Sequence, residues 1–372
     1  MSWHTARHGD VLTLKRGHDL PDSQRQDGDV PVVSSSGITG RHSEAKATAP
    51  GVVTGRYGTI GEVFYLGEDY WPLNTALYVT DFKGNHPRFC AYFLQNVLRD
   101  YQSDKAAVPG VNRNVLHELK VRCPDGNSQQ RIADILSAYD DLIENNRRRM
   151  ALLEDAARQL YREWFVRLRF PGHEHTRITN GVPEGWEPST LGDLCEEVRE
   201  SVNPDELESD TPYIGLEHMP RRSIALSNWG KAEQVTSSKH RFLEGEILFG
   251  KIRPYFHKAG IAFVDGVASS DAIVIRPIDS KLQGLVLMTV SSDPFVAVTS
   301  QTMREGSKMP RADWKQMQAY SIPLPPDGLL SSFEDTVRSI VVQLKTLTFT
   351  NDKLRTARDL LLPRLMSGEI AV

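Results

Sequence analysis

Between Ser128 and Arg169 the apolar residues recur at helical spacing: Ile132, Leu136, Tyr139, Ile143, Met150, Leu153, Ala157, Leu160 and Trp164. Steps of three and four put them on one stripe, with Arg, Glu and Asp on the other faces. The stretch contains neither Pro nor Gly. Asp125-Gly126-Asn127-Ser128 offers capping residues in front, and Phe170-Pro171-Gly172 stops the pattern behind. At about 1.5 Å per residue such a helix reaches roughly 60 Å. So narrow a stripe on so long a helix calls for a partner helix.

That partner lies in the same chain. From Ser331 to Met366 the apolar residues Phe333, Val337, Ile340, Leu344, Leu347, Leu354, Ala357, Leu361 and Leu365 recur at the same steps. A constant offset of 201 sets Phe333 on Ile132, Val337 on Leu136, Leu344 on Ile143 and Leu354 on Leu153. Two helices with one pattern in one register predict a duplicated unit whose helices pack as a coiled coil. They are expected to lie antiparallel, because the chain must return before its second helix begins. An approximate twofold axis then relates the halves.

The segments before each helix repeat as well. Trp3, Gly9 and Asp10 match Trp186, Gly192 and Asp193 at an offset of 183. Gly55-Arg56-Tyr57 falls on Gly250-Lys251-Ile252 at 195, Asn112-Arg113-Asn114 on Pro310-Arg311-Ala312 at 198, and Val121 to Pro124 on Ile322 to Pro325 at 201. The rising offset is what insertions in the second copy produce. The first copy shows short β-branched runs at Val30–Val33, Gly51–Thr54, Gly61–Tyr65 and Ala76–Val79, separated by turn residues. A helix is expected from Pro87 to Tyr101 with Phe89, Tyr92, Phe93 and Val97 inside, then a helical turn at Arg113–Leu119 and a strand at Lys120–Arg122. Residues 170 to 188 are rich in Pro, Gly and polar groups and read as a linker. His173 and His175 within it lack further metal-ligand neighbours.

Composition narrows the function class. With 372 residues, 40% hydrophobic and 25% charged, the chain has material for two or three ordinary cores. No apolar run approaches the roughly twenty residues of a membrane helix, and the start MSWHTARHGD does not resemble a signal peptide. Cys90, Cys123 and Cys195 are scattered, which points to a reducing compartment, the cytoplasm, without a disulfide framework or zinc ribbon. A net charge of −4 requires any nucleic-acid binding to use local basic patches. There is no GxxxxGK[ST], no GxGxxG between strand and helix, no HExxH and no GxSxG. Asp293-Pro294-Phe295 resembles the Asp/Asn-Pro-Pro-aromatic loop of amino-methyltransferases but lacks its second Pro.

What the chain does offer is basic, polar loops at comparable places in both copies. The first has Ser35, Arg41, Arg56, Tyr57, Thr59, Asn74, Asn112 and Arg113; the second has Arg221, Lys251, Arg253, Tyr255, Lys308 and Arg311. Arg and Lys hydrogen-bond guanine edges or phosphates, Asn reads adenine, and hydroxyls hold phosphate oxygens. These residues are the candidate DNA contacts.

Gln129–Ala133 leading to Asp141–Arg148, then Leu160-Tyr161-Arg162-Glu163-Trp164-Phe165, Phe170–Glu174 and Pro183–Trp186 resemble the central conserved region of type I restriction-modification specificity subunits. Arg358 to Ile370 is similar to the distal conserved region of that family. The resemblance spans the whole chain. It implies an α+β chain of target-recognition domain 1 (1–126), a central helix (127–169), a linker (170–185), target-recognition domain 2 (186–327) and a distal helix (328–372). It also implies a non-catalytic subunit bound to double-stranded DNA, each globular domain reading half of a bipartite site while the helices fix the spacer. The expected partners are two methyltransferase subunits and restriction or translocase subunits, with S-adenosylmethionine, ATP and Mg in those partners and no cofactor or metal here. Arg147, Arg148, Arg158 and Arg162 on the outer helix face are the expected docking residues. Two other classes stay open: a methyltransferase or nuclease with an unrecognised site, and a protein-binding scaffold that never touches DNA.

Overall fold

The computed structural model describes residues 2–57, 61–99, 101, 110–301 and 310–372. The chain divides into two compact units, one of Met1–Glu144 with Asp352–Val372, the other of Asn145–Asn351. Each unit is a globular α/β part together with a half of each of two long helices, Gly126–Tyr161 and Asp327–Ser367. Among the described residues no single helix is long and apolar enough to cross a membrane.

The central helix starts where the sequence places it. The Asp125 carboxylate accepts from the Ser128 amide at 3.0 Å, the Ser128 hydroxyl at 3.1 Å and the Ser2 amide at 2.8 Å. These donors hold its carboxyl well below the usual carboxylate range. The end departs from expectation. Instead of continuing to Arg169, the helix widens over Arg162–Val166, with the Arg167 amide bonded to the Arg162 carbonyl at 2.8 Å. Leu168 then takes a left-handed φ of 56° and turns the chain back. That reversal brings Phe170 onto Trp186, ring centroids 4.9 Å apart.

Within the second unit, Asn146 Nδ2 donates to Asn351 Oδ1 at 2.8 Å and Arg149 donates to Gln343 at 3.0 Å. Farther along, Tyr161, Trp164 and Phe165 surround Phe333 at centroid distances of 6.4, 5.9 and 4.9 Å. Rising numbers on the central helix therefore meet falling numbers on the distal one. The first unit repeats the trend: Ile132 and Leu136 share a core with Leu365 and Met366, and Asp140 meets Arg358 at 2.5 Å.

The strands in the first unit follow the β-branched runs. Thr13–Arg16, Ala76–Asp81, Gly51–Gly55 and Val63–Leu66 form an antiparallel sheet in that spatial order. Gly37–His42, Val30–Ser34 and Trp71–Pro72 form a second, and Trp3–Arg7 pairs with Lys120–Pro124. The helix Pro87–Arg99 buries Phe89, Tyr92 and Phe93. Gly51 is required by packing, since a Cβ there would stand 2.2 Å from the Tyr70 ring. The second unit holds two five-stranded sheets and an unforeseen helix pair, Gln283–Val290 and Asp293–Gln301.

The supposed linker is ordered, although most of its residues are exposed. Ile178–Thr179 and Val182–Pro183 form a hairpin turned by Asn180 and Gly181, both with positive φ, and Trp186 is buried. Asn-Gly is the pair that a tight two-residue hairpin turn demands.

Hydrogen bonds settle the internal repeat. The His8 amide donates to Leu119 and the Leu191 amide to Tyr320, at 2.8 and 2.9 Å. A Cβ on Gly9 would lie 3.1 Å from the His117 Cβ, and one on Gly192 at 3.1 Å from the Gln318 Cβ. Both comparisons give offsets of 183 and 201. Arg56 sits between Thr75 and Val111 as Lys251 sits between Asp271 and Ala312, each through two backbone bonds of 2.7 to 2.9 Å. One match needs correction. Asn112 caps the helix Arg113–Glu118, and its counterpart is Asp313, which caps Trp314–Met317. The offset there is 201, so Arg113 corresponds to Trp314 and Arg311 to Gly110. The Arg-for-Arg match at 198 was a coincidence of residue type.

Candidate nucleic-acid interface

In the first unit, four of the expected contacts line one cavity of 360 Å³: Arg56, Tyr57, Asn112 and Arg113, joined by Arg16, Tyr101 and Asn114. The local fold explains the convergence. Strand Gly51–Gly55 delivers Arg56 and Tyr57 at its end, and the bond from the Val111 amide to the Arg56 carbonyl brings the following helix N-terminus beside them. The Asn112 Oδ1 accepts from the Asn114 amide at 3.1 Å, so its side-chain oxygen is engaged in capping the helix. The Arg56 guanidinium lies 4.7 Å above the Tyr57 ring. Among the described residues no carboxylate lines the cavity, and Arg16, Arg56 and Arg113 bring positive charge to it.

Asn74 adjoins this cavity, its carbonyl accepting from Arg16 Nε at 3.3 Å while its side chain donates to Asp19. Ser35 and Arg41 are not among the residues lining it. Ser35 sits in the turn between Val30–Ser34 and Gly37–His42, and Arg41 donates to the Asp29 carbonyl. Thr59 and Lys308 lie outside the described residues. Arg16 was missed in the sequence: it stands two residues after the buried Leu14 on the strand Thr13–Arg16, so strand alternation gave no sign that it is exposed.

The second unit gathers Lys251, Arg253 and Arg311 through a short backbone pairing: the Ala312 amide donates to the Lys251 carbonyl at 2.8 Å and the Arg253 amide to Pro310 at 3.0 Å. Arg221 stacks 3.9 Å above the Phe256 ring, Arg253 stands 5.9 Å from it, and Tyr255 packs against its edge at 4.9 Å. This cluster carries its own acids. Arg311 pairs with Asp271 at 3.3 Å, and Lys251 donates to the Ser270 carbonyl at 3.0 Å. Burial lowers the Lys251 ammonium pKa, opposed by Glu197. The two sites therefore occupy the same place in the repeat with different electrostatics.

Of the four helix arginines, Arg147, Arg148 and Arg162 are exposed, whereas Arg158 is turned inward. It donates to the Arg222 carbonyl and meets Glu154 at 3.2 Å, so it fastens the globular part to the helix. Glu154 itself accepts from the Ile224 and Ala225 amides, each at 3.1 Å, and from the Ser223 hydroxyl at 2.5 Å. Glu334 on the distal helix accepts from the Gly284 and Leu285 amides at 2.8 and 2.7 Å. In the first unit the corresponding anchor is Gln129, which takes the His86 amide and donates to Asn85 and the Pro124 carbonyl. Asp293, of the methyltransferase-like tripeptide, is occupied by Arg222 at 2.9 Å and His257 at 3.5 Å.

The type I restriction modification DNA specificity domain matches this sequence twice, over residues 2–155 and 183–328. The chain belongs to that family. The two matched stretches coincide with the two copies of the repeat, each running into or up to a long helix. The chain is a specificity subunit, a recognition component rather than a catalytic one. It is 22% identical over 306 residues to the type I restriction enzyme MjaIX specificity subunit of Methanocaldococcus jannaschii, covering 75% of this chain and 68% of that one. It is 21% identical over 361 residues to the EcoDI specificity subunit of Escherichia coli, covering 88% and 78%. The crystal structure of a type I restriction-modification S subunit from M. genitalium shares its fold, with a TM-score of 0.60 over 98% of this chain and 96% of that one at 15% identity.

Proposed function

We propose that this specificity subunit reads a bipartite duplex DNA site, one half with each globular part. The observation that carries the reading is the doubled domain: each copy presents a cationic cluster after the same strand, around Arg56 in one and Lys251 in the other. In the first, Arg56 and Arg113 supply guanidinium forks for guanine O6 and N7 or for phosphate, and Asn112 an amide. In the second, Lys251, Arg253 and Arg311 do so, with Arg221 and Tyr255 flanking. Ser35, Arg41 and Asn74 contribute outer contacts, and Thr59 and Lys308, which lie outside the described residues, are further candidates by residue type.

The two long helices act as an antiparallel coiled coil that sets the unread spacer. Opposed numbering in the Asn146–Asn351 and Asp140–Arg358 contacts supports this role. Their outer faces, including Arg147, Arg148 and Arg162, dock two methyltransferase subunits and the restriction subunits. Those partners bring S-adenosylmethionine, ATP and Mg, and the assembly works in the cytoplasm.

Genome-wide mapping of methylated adenines tests the reading. Arg56→Ala is expected to relax one half-site and Lys251→Ala the other, each base-reading contact being worth about 1–3 kcal/mol. A contact with phosphate alone would weaken all sites equally and flatten the salt dependence. Unchanged methylation in both variants, with the complex assembled, would refute the placement. No affinity for duplex even with partner subunits present would favour a protein scaffold instead.

A further inference from the structure

One cavity of the second unit is built from residues that the DNA-facing cluster does not use. It encloses 240 Å³ beside the widened last turn of the central helix. Its walls are apolar where they are deepest, formed by Tyr161, Ile224, Ala259 and Met288, and Val166 stands half-exposed at the rim. Arg158, Arg162, Arg167 and Arg222 stand around it, against one lining carboxylate, Asp293.

The charges at this rim are unevenly satisfied. Asp293 is taken up by Arg222 and His257, Arg158 faces Glu154, and Arg167 faces Glu163 at 2.5 Å. Arg162 has no ion pair among the described residues. The rim is also held in a costly backbone: Arg222 and His257 take left-handed φ values of 56° and 51°, and the Arg222 amide donates a hydrogen bond to the His257 carbonyl at 2.9 Å. Strain of this kind persists only where its surroundings over-determine it, and it gathers at binding sites. A helix turn with i to i+5 bonding carries the same implication. The first unit lacks this ring of arginines: at the offset of 201, Arg158, Arg162 and Arg167 become Asp359, Pro363 and Gly368.

We propose that this cavity is a socket for a partner protein, taking one bulky apolar side chain with an aspartate or glutamate beside it. This rests on the reading that the helices dock methyltransferase subunits. Charge complementarity selects the acidic neighbour, since Arg162 is the unpaired group at the mouth. Size selects a side chain: the volume falls below the roughly 300–1,000 Å³ of small-molecule pockets. An apolar anchor seated in a pocket and ringed by polar contacts is the usual centre of a binding hot spot. Nucleic acid would leave the apolar walls without a partner.

The test is calorimetric titration of the full chain with the methyltransferase subunit of its own system. Arg162→Glu and Val166→Asp alter exposed positions, so thermal unfolding should stay unchanged. Each is expected to weaken binding at least tenfold, whereas Lys231→Glu, exposed and away from the cavity, should not, and duplex DNA affinity should hold in all three. The peptide Ac-Glu-Phe-Glu-amide should compete, and Ac-Lys-Phe-Lys-amide should not. Wild-type affinity in both rim variants would overturn the socket while leaving docking intact. A wild-type chain that binds DNA but no methyltransferase subunit would overturn both. Competition by adenosine monophosphate and not by the acidic peptide would reassign the cavity to a free nucleotide.

Discussion

His8 offers a sharp test of the repeat, because the second copy has solved the same packing problem with a different residue. The ring is fully buried between Phe93 and His117, stacked at 5.6 and 6.0 Å, and among the described residues neither nitrogen has a hydrogen-bond partner. Its counterpart at the offset of 183 is Leu191, equally buried. Burial, reinforced by the neighbouring His117, lowers the His8 pKa from 6.5 to about 4. The unfolded chain therefore binds more protons than the folded one between those values, so stability rises with pH across that window. The linkage integrates to about 2 kcal/mol lost at pH 5 and about 3 below pH 4, with almost nothing lost at pH 7.5. His8→Leu removes this penalty and the desolvation cost of an unpaired ring, about 1–3 kcal/mol, while giving up stacking worth about 0.5–1.5. The expectation is a gain of about 1 kcal/mol at pH 7.5 and about 3 at pH 5. Urea unfolding at both values, followed by exchange protection of the strand Trp3–Arg7, measures it. His117, also lowered by burial, keeps its own shallower pH dependence in both proteins. Equal pH dependence in wild type and His8→Leu would refute the reasoning.

Three further outcomes follow from the contacts. Glu154→Ala strands the Ile224 and Ala225 amides and should destabilise the second unit by about 2–4 kcal/mol, with Glu154→Gln recovering part; circular-dichroism melts read both. Asn146→Leu should cost about 1–3 kcal/mol by leaving Asn351 buried and unpaired, and the double change to Leu should restore or exceed wild-type stability; additive losses in the cycle would show that the pair is not coupled. Gly9→Val and Gly192→Val press a β-branched side chain on the His117 and Gln318 backbones, and should destabilise their own units by similar amounts in chemical denaturation.

The elements legible in the sequence were those whose residues obey one period. Ile132, Leu136 and Ile143 repeat at helical steps and are buried, and Asp125 caps where a capping residue should stand. Strands Val30–Ser34 and Ala76–Asp81 follow their apolar runs because consecutive residues are buried on both faces. The helix pair at Gln283–Val290 and Asp293–Gln301 was not legible for the opposite reason. Gly284 through Val290 are buried all round, so no polar face marks the period. Anchors were hidden too. Glu154 and Glu334 fall among the charged positions of their helices and read as solvated surface, yet each meets amides of a strand or helix that only the fold brings near.

The candidate site shows where pattern reasoning fails in a more instructive way. Matching Arg113 to Arg311 used residue type, whereas the fold matches caps and backbone bonds, Asn112 with Asp313 and Val111 with Ala312. Once the register is corrected, Arg56 with Lys251 and, at the offset of 183, Arg16 with Arg199 remain as counterparts among the cations. The first copy surrounds its arginine with Arg16 and Arg113 and, among the described residues, no acid, while the second surrounds its lysine with Asp271, Glu197, Arg199 and Arg311. An unopposed cluster attracts phosphate over a Debye length of about 8 Å, and a compensated one must rely on fixed hydrogen-bond geometry. Scaffold positions are thus held by packing, as Gly9 and Gly192 are, while the residues between them are free to differ in charge and reach. A duplicated recognition fold can in this way present two unlike surfaces, which is what reading an asymmetric bipartite site requires.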